Sequence, residues 1–302
     1  MGVAVFVTAH EDDETLSMGA AIVNHVNAGH RVYTLVCTDG SNSGVFAELQ
    51  QSHGLTRDQF CQARYNEYIN AAAALGLYSQ CSINTSCYNT GYLGMLKDST
   101  LNLGARYSYD ANGLTRTCIN PGYDGNELGI NYEKVNSDLY YAIRSSLQSI
   151  AQSNGISMQN LLVKTHSHRD CHEDHRAVCQ AVLRLYAENY ISDVRHYVSP
   201  AQWDSSIRYP SGAAPSVQQV YESANQLDTS IETPSQNQSY LRRAILNYVE
   251  AGTDFNYDVY HGSVKGTDRY YGIGYKSVSS AFDKVDNRKC SYYHVPPSIR
   301  KY

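Results

Sequence analysis

Val3-Ala-Val-Phe-Val-Thr8 is a short apolar run, and Ala9-His-Glu-Asp-Asp-Glu14 follows it directly. The run is rich in β-branched residues and bounded by polar ones, which is typical of a buried strand in a parallel sheet. From residue 15 to Gly29, apolar residues recur at helical spacing. Ligands of open α/β sheets bind beyond the carboxyl ends of the strands. We therefore expect the His and Asp side chains of residues 10–13 to face a ligand crevice.

A second cluster of His and Asp side chains lies far along the chain, in residues 165–175 (Thr-His-Ser-His-Arg-Asp-Cys-His-Glu-Asp-His). It also follows an apolar run, Leu161-Leu-Val163, and precedes a helical pattern at 178–185. Two loops of one sheet edge would then offer imidazoles and carboxylates to the same crevice. This ligand chemistry suits a divalent ion such as zinc, and a site with three protein ligands leaves a position for water.

These two stretches resemble a known family. Residues 9–14 are similar to the Ala-His-Pro-Asp-Asp-Glu motif of the LmbE-like (PIG-L) family of zinc-dependent N-acetylglucosaminyl de-N-acetylases, and residues 172–175 resemble its His-Pro-Asp-His motif. Glu11 and Glu173 each stand where the family has proline. Several members carry a Tyr as an oxyanion donor at the place of Asp170.

The resemblance implies an activity and a role for each matched residue. The activity is hydrolysis of the acetyl group of an N-acetylated amino sugar, in an N-acetylglucosamine-containing glycan, oligosaccharide or glycoconjugate, by metal-activated water. The cofactor would be Zn²⁺, with Fe²⁺ as the alternative. The implied residues are the metal ligands His10, Asp13 and His175, the general base Asp12, the oxyanion or leaving-group partner His172, and the substrate-binding residues Arg64 and Asp98.

The predicted fold class is α/β, a Rossmann-like parallel sheet with helices on both faces. The 302 residues suffice for one large domain with an appendage. We assign residues 1–251 to the deacetylase domain and 78–132 to a loop-rich insertion within it. Residues 252–302, rich in Gly and Tyr, would form short strands or a loop cap that packs on the same domain.

The eight cysteines form no CxxC pair, and several fall in polar stretches where burial is not their reason. This pattern favours disulfides, which would also pin the insertion at 78–132. The 27 tyrosines suit a surface that handles sugars. We therefore predict a secreted or extracellular protein whose signal peptide is absent from this sequence, with a cytoplasmic protein as the alternative.

The charge pattern bears on binding partners. A net charge of −5 without a basic stripe argues against a nucleic-acid partner. No run approaches the ~18 apolar residues of a membrane span, and no feature indicates a protein partner. The expected partner is an N-acetylated sugar.

Several alternatives stay open. His166 and His168 are hydrogen-bond partners beside the site, or else additional metal ligands. The acidic residues 12–14 could be a cluster favoured by a helix N-terminus. The glycines of 38–44 could cradle a nucleotide, although the spacing of a phosphate-binding motif is missing. The protein could also be a metal amidase for another acylated amine, or a metal-dependent carbohydrate-binding module without catalysis.

Overall fold

The computed structural model describes residues 2–38, 40, 43–77, 92–96, 137–167, 170, 173–200, 230–234, 238–249 and 273–294. Within these residues one mixed sheet has the order β3-β2-β1-β4-β5-β7-β6. Its strands are β1 (Val3–Thr8), β2 (Arg31–Thr38), β3 (Tyr92–Leu96), β4 (Leu161–His166), β5 (Asp193–Val198), β6 (Ser230–Glu232) and β7 (Ser291–His294).

The five strands from β3 to β5 are parallel, and β7 joins β5 in antiparallel pairing. β1 is the central strand, paired with β2 on one side and β4 on the other. Apolar β-branched residues suit this position because both faces of a central parallel strand are covered. The prediction of a Rossmann-like parallel sheet is confirmed.

Helices connect the strands and cover the sheet. They are α1 (Asp13–Leu16), α2 (Gly19–Asn27), α3 (Gly44–His53), α4 (Arg57–Ala74), α5 (Ser137–Ser153), α6 (Glu173–Ala187), α7 (Gln238–Val249) and α8 (Ile273–Arg288), with a short 3₁₀ turn at Met158–Asn160. The structure confirms the two helices predicted from the apolar spacing at 15–29 and 178–185, which are α2 and α6.

Alternate residues of β1 enter two different cores, as the two-residue period of a strand requires. Val5 and Val7 pack in one core with residues of α5 and α6 such as Leu147 and Val182. Phe6 packs in the other core, with residues of α2, α4, α7 and α8. The prediction of helices on both faces is confirmed.

Strand pairing brings the two predicted loops to the same edge of the sheet. Val7 of β1 lies opposite Thr165 of β4, and the two strands are parallel. The loops that follow the two strands therefore begin at neighbouring points of the sheet edge. The end of β2 is tied to the first loop, because the Thr38 hydroxyl and backbone N–H both donate to the Ala9 carbonyl, at 2.8 and 3.0 Å.

Two stretches contain elements that the sequence did not predict. Residues 78–132, predicted as a loop-rich insertion, contain the strand β3, which pairs with β2 at the edge of the sheet. Residues 252–302 contain a short strand, β7, as predicted, but also the 16-residue helix α8. Its first backbone N–H groups, at Ile273 and Gly274, donate to the two carboxylate oxygens of Glu67, at 2.6 and 2.9 Å. This cap comes from α4 and is distant in sequence, and a non-helical residue interrupts the helical pattern at Val278, so the sequence does not reveal the helix.

The cysteine prediction was partly wrong. Within the described residues, Cys37, Cys61, Cys179 and Cys290 carry thiols rather than disulfides. Three of them are buried, where a cysteine packs as a small apolar side chain. The other four cysteines, and with them the disulfide-pinned insertion, lie outside the described residues.

No helix in the described part of the chain combines the length and the apolar character needed to cross a membrane.

Replacing Phe282 by Ala tests whether α8 packs in the core that contains Phe6. The ring is fully buried and lies 5.2 Å from the Tyr248 ring, between centroids. We expect Phe282→Ala to lower the free energy of unfolding by about 3–5 kcal/mol, as for other buried aromatic truncations. Urea denaturation measures the change. Ser280→Ala, at an exposed position of the same helix, is the control and should differ from the parent by less than about 0.5 kcal/mol. Equal stability of the two variants would contradict the prediction.

His196 should make the fold sensitive to acid. Burial lowers the pKa of this β5 side chain to about 4, and its Nδ1–H donates to the His166 carbonyl at 2.9 Å. Between pH 6.5 and 4 the unfolded chain binds a proton that the folded chain does not, so stability falls with falling pH by up to about 1.4 kcal/mol per pH unit. In urea denaturation with chelator present, His196→Asn should lose less stability between pH 7 and pH 5 than the parent. Identical losses would refute the assignment.

Candidate active site

The Asp13 carboxylate lies at the centre of the cluster that the two loops form. Its Oδ2 accepts the backbone N–H of His10 at 2.8 Å and lies 3.3 Å from His10 Nδ1. Its Oδ1 lies 3.1 Å from Nε2 of His175, at the start of α6. The structure thus brings together the three residues predicted as metal ligands.

The geometry of these residues suits a divalent metal ion. One nitrogen or oxygen atom from each of His10, Asp13 and His175 lies within 4.8 Å of the other two. Two imidazoles and one carboxylate are the donor set that zinc takes at catalytic sites, with a fourth position left open. Asp13 and His175 are buried, and His10 is partly exposed, which leaves the cluster accessible from one side.

The charges of the cluster depend on one another. Burial alone would raise the pKa of Asp13, but the nearby imidazoles of His175 and His166 hold it well below its usual range. Burial opposes the charge on His175, yet Asp13 and Asp170 raise its pKa to about 10. Asp13 is therefore ionised at neutral pH, which is the form that binds a cation.

Each imidazole of the cluster also contacts a second carboxylate through its other nitrogen. Nε2 of His10 lies 3.0 Å from Asp174 Oδ2, and Nδ1 of His175 lies 3.0 Å from Asp170 Oδ2. Neither contact was predicted from the sequence. Asp170 and Asp174 both lie within the second His-rich stretch, but sequence spacing does not show which imidazole ring each carboxylate contacts.

His166 lies beside the cluster, as its position at the end of β4 predicted. Its Nε2 accepts the backbone N–H of Ala9 at 3.1 Å, so this nitrogen carries no proton. Its ring stacks on that of His175, with centroids 3.9 Å apart and planes 9° from parallel. Burial and the neighbouring His175 lower the pKa of His166, which is thus neutral. His166 is thus a hydrogen-bond partner beside the site, but together with Asp170 and His175 it also forms a second group of possible metal ligands, so its role as an additional ligand stays a prediction. His168 lies outside the described residues.

Asp12 lies next to the cluster at the N-cap position of α1, but its side chain makes no capping hydrogen bond. Its Oδ2 accepts a hydrogen bond from Arg64 Nη2 at 3.2 Å. Burial raises the pKa of Asp12, against the lowering effect of Arg64 and with the help of Asp13. A helix-capping hydrogen bond therefore does not account for this carboxylate, and its role as the general base stays a prediction.

Arg64 reaches the first loop from α4 and pairs with two carboxylates. Its Nε lies 3.2 Å from Glu11 Oε2, and Nη2 lies 3.2 Å from Asp12 Oδ2. Only 4% of Arg64 is exposed, and Glu11 is fully buried. Gly40 lies against this pair with a φ of +59°, and a Cβ atom there would overlap Glu11 Oε2. The substrate-binding role of Arg64 stays a prediction, and the contacts seen here orient Asp12.

Two further predicted site residues, His172 and Asp98, lie outside the described residues. Their roles stay predictions. The described part of the site therefore consists of the three-residue cluster, the adjacent Asp12 carboxylate, and the side chains that orient both.

Comparison with curated proteins gives matches over a short stretch. The chain is 38% identical over 74 residues to a 1D-myo-inositol 2-acetamido-2-deoxy-alpha-D-glucopyranoside deacetylase from Mycolicibacterium vanbaalenii, which covers 24% of this chain and 26% of the relative. The enzyme of that name from Mycobacterium bovis is 38% identical over 77 residues, 24% of each chain. The match thus spans about a quarter of the length of these relatives.

Solved structures match over nearly the whole chain. A deacetylase–teicoplanin complex from the teicoplanin biosynthesis pathway has a TM-score of 0.52 at 17% identity and covers 98% of both chains. A triple mutant of a deacetylase of the teicoplanin pathway has a TM-score of 0.51 at 15% identity and covers 97% of both chains. At this identity the likeness establishes the fold alone.

A family model covers more than half of the sequence. The model described as PIG-L, GlcNAc-PI de-N-acetylase, matches residues 5–186. The match includes both His- and Asp-rich loops and the helix that carries Arg64. The chain therefore belongs to the PIG-L family of de-N-acetylases.

Proposed function

We propose that this protein is a metal-dependent hydrolase that removes the acetyl group from an N-acetylated amino sugar. The observation that carries the proposal is the convergence of His10, Asp13 and His175 beside an Asp12 carboxylate that α1 does not use as a cap. Membership of the PIG-L family supports the deacetylase activity. The name of the mycobacterial relatives supports the sugar, since their substrate is a 2-acetamido-2-deoxy-glucopyranoside.

The proposed metal ligands are His10 Nδ1, a carboxylate oxygen of Asp13 and His175 Nε2, because these atoms face one another in the cluster. A divalent ion held there, zinc or alternatively Fe²⁺, supplies a Lewis acid that polarises the amide carbonyl and lowers the pKa of water. Asp174 and Asp170 hold the outward nitrogens of the two rings. This arrangement keeps one nitrogen of each ring directed at Asp13.

In this proposal Asp12 moves the proton. As the water oxygen attacks the acetamide carbon, Asp12 accepts the water proton, and it then gives a proton to the amine nitrogen as the C–N bond breaks. The products are acetate and the free amino sugar. Arg64 donates to Asp12 Oδ2 and so restricts the carboxylate to one orientation. Burial raises the pKa of Asp12, which strengthens it as a base relative to a solvated carboxylate.

The remaining predicted residues complete the proposal. His172 would donate to the developing oxyanion or the leaving group, and Asp98 and Arg64 would contact sugar hydroxyls. A secreted location is proposed on the tyrosine-rich composition alone.

Acetate release tests the reaction. The protein should release acetate from N-acetylglucosaminides or short chitooligosaccharides, because the ligand cluster and the base are both present. A strong chelator should abolish the activity, and added Zn²⁺ or Fe²⁺ should restore it. His175→Ala should lose both metal binding and activity, while Asp58→Asn, at an exposed position of α4, should keep both.

Activity that survives in metal-free protein would contradict the proposal. Tight sugar binding without acetate release would indicate a carbohydrate-binding module, and activity only on other acylated amines would indicate a different amidase.

Asp12→Asn separates proton transfer from metal binding. An amide of the same shape cannot accept the water proton, so kcat should fall by about 10²–10⁴-fold. Bound zinc, measured by elemental analysis after dialysis, should stay at the parent level because Asp12 is not among the proposed ligands. An unchanged kcat would remove Asp12 from the mechanism, and loss of zinc would make it a ligand instead of a base.

A further inference from the structure

We propose that Asp170 is a positioning residue that fixes the His175 ring for metal binding. The proposal rests on the proposed function, since it takes His175 as a metal ligand. In the resembling family several members have a tyrosine at this place as an oxyanion donor. The contacts of Asp170 in this chain point to a different task.

The contacts of the His175 ring leave it little freedom. Nε2 lies 3.1 Å from Asp13 Oδ1 and Nδ1 lies 3.0 Å from Asp170 Oδ2, so the two ring nitrogens are held by two different carboxylates. The stack on His166, at 3.9 Å and 9°, fixes the plane of the ring. Asp170 then fixes the rotation within that plane.

Asp170 is itself held firmly. It is fully buried, and its backbone N–H donates to the Ser167 carbonyl at 3.1 Å. Ser167 in turn donates its backbone N–H to the Tyr197 carbonyl of β5 at 3.0 Å. The carboxylate thus belongs to a tight turn anchored on the sheet edge, and its position follows from the strands rather than from a long loop.

The chemical consequence concerns the proton on the ring. A carboxylate can only accept at this distance, so Nδ1 of His175 keeps its hydrogen towards Asp170. Nε2 would then be the nitrogen that gives up its proton when a metal ion binds, with its electron pair directed at the metal. Carboxylate partners of this kind orient metal-bound imidazoles and increase their basicity, and their removal commonly weakens metal binding by about 10–100-fold. A tyrosine hydroxyl at this place could accept the Nδ1–H only as a neutral oxygen, without the charge of a carboxylate.

Zinc affinity measured by competition with a chromophoric chelator tests the proposal. Asp170→Ala should bind zinc about 10–100-fold more weakly than the parent. Asp170→Asn keeps a neutral oxygen acceptor and should lose less, about three- to tenfold, because the hydrogen bond no longer involves a charge. At saturating zinc, the loss of kcat in both variants should be smaller than their loss of zinc affinity, because the proposal assigns Asp170 to metal binding. Asp58→Asn should match the parent in both measurements.

The contrary outcomes are distinct. Unchanged zinc affinity in either variant overturns the proposal, and unchanged affinity with a large loss of kcat would place Asp170 at the substrate. If the Ala variant does not fold, the zinc affinity of the near-isosteric Asn variant tests the proposal. If zinc affinity depends on Asp170 as expected but the parent releases no acetate from any acetamido sugar, the proposed function fails and the positioning role stands. The Co²⁺ absorption spectrum gives a further readout, since a rotated His175 would change its ligand-field bands.

Discussion

The parallel pairing of β1 with β4 is the constraint on which the site depends. It places the ends of two strands, more than 150 residues apart in sequence, at neighbouring points of one sheet edge. Asp13 then meets His175 across the gap, and Ala9 donates its N–H to His166. None of these contacts is local in the chain. Each therefore requires the central strand to be buried and in register before the site exists.

Each carboxylate of this arrangement lies against an imidazole or a guanidinium group. An unpaired ionised group inside a protein costs several kcal/mol, so buried carboxylates need donors or cations as neighbours. Asp13 meets imidazoles, Asp12 meets Arg64, and Asp170 and Asp174 each meet one ring. The same pairs that offset the burial cost also fix the directions of the side chains. Charge balance and preorganisation are thus two results of one set of contacts.

The sequence predicts the fold and the ligand cluster because their signals are local or periodic. β1, β4 and the helices α2 and α6 follow from apolar spacing, and His10, Asp13 and His175 follow from two short motifs. The helix α8 was missed because Glu67, distant in sequence, caps its first turn. The strand β3 was missed because its sequence lies within a polar stretch. The sequence spacing shows which residues lie at the same edge of the sheet. It does not show how each imidazole ring is oriented or which second carboxylate the ring contacts, because both depend on packing.

The ion pair between Glu11 and Arg64 shows how the structure accommodates a residue that departs from the family's motif. A glutamate replaces the family's proline in the first loop, and full burial raises the pKa of its carboxyl to about 7 while Arg64 opposes the rise. The guanidinium also holds Asp12, so one cation serves two carboxylates through its fork of N–H groups. The glycine at position 40 leaves the space that this pair occupies. A buried ion pair seldom adds net stability over apolar packing, so its effect here is on geometry. The loop that lacks the rigidity of the family's proline is held instead by the arginine that orients Asp12, the proposed general base.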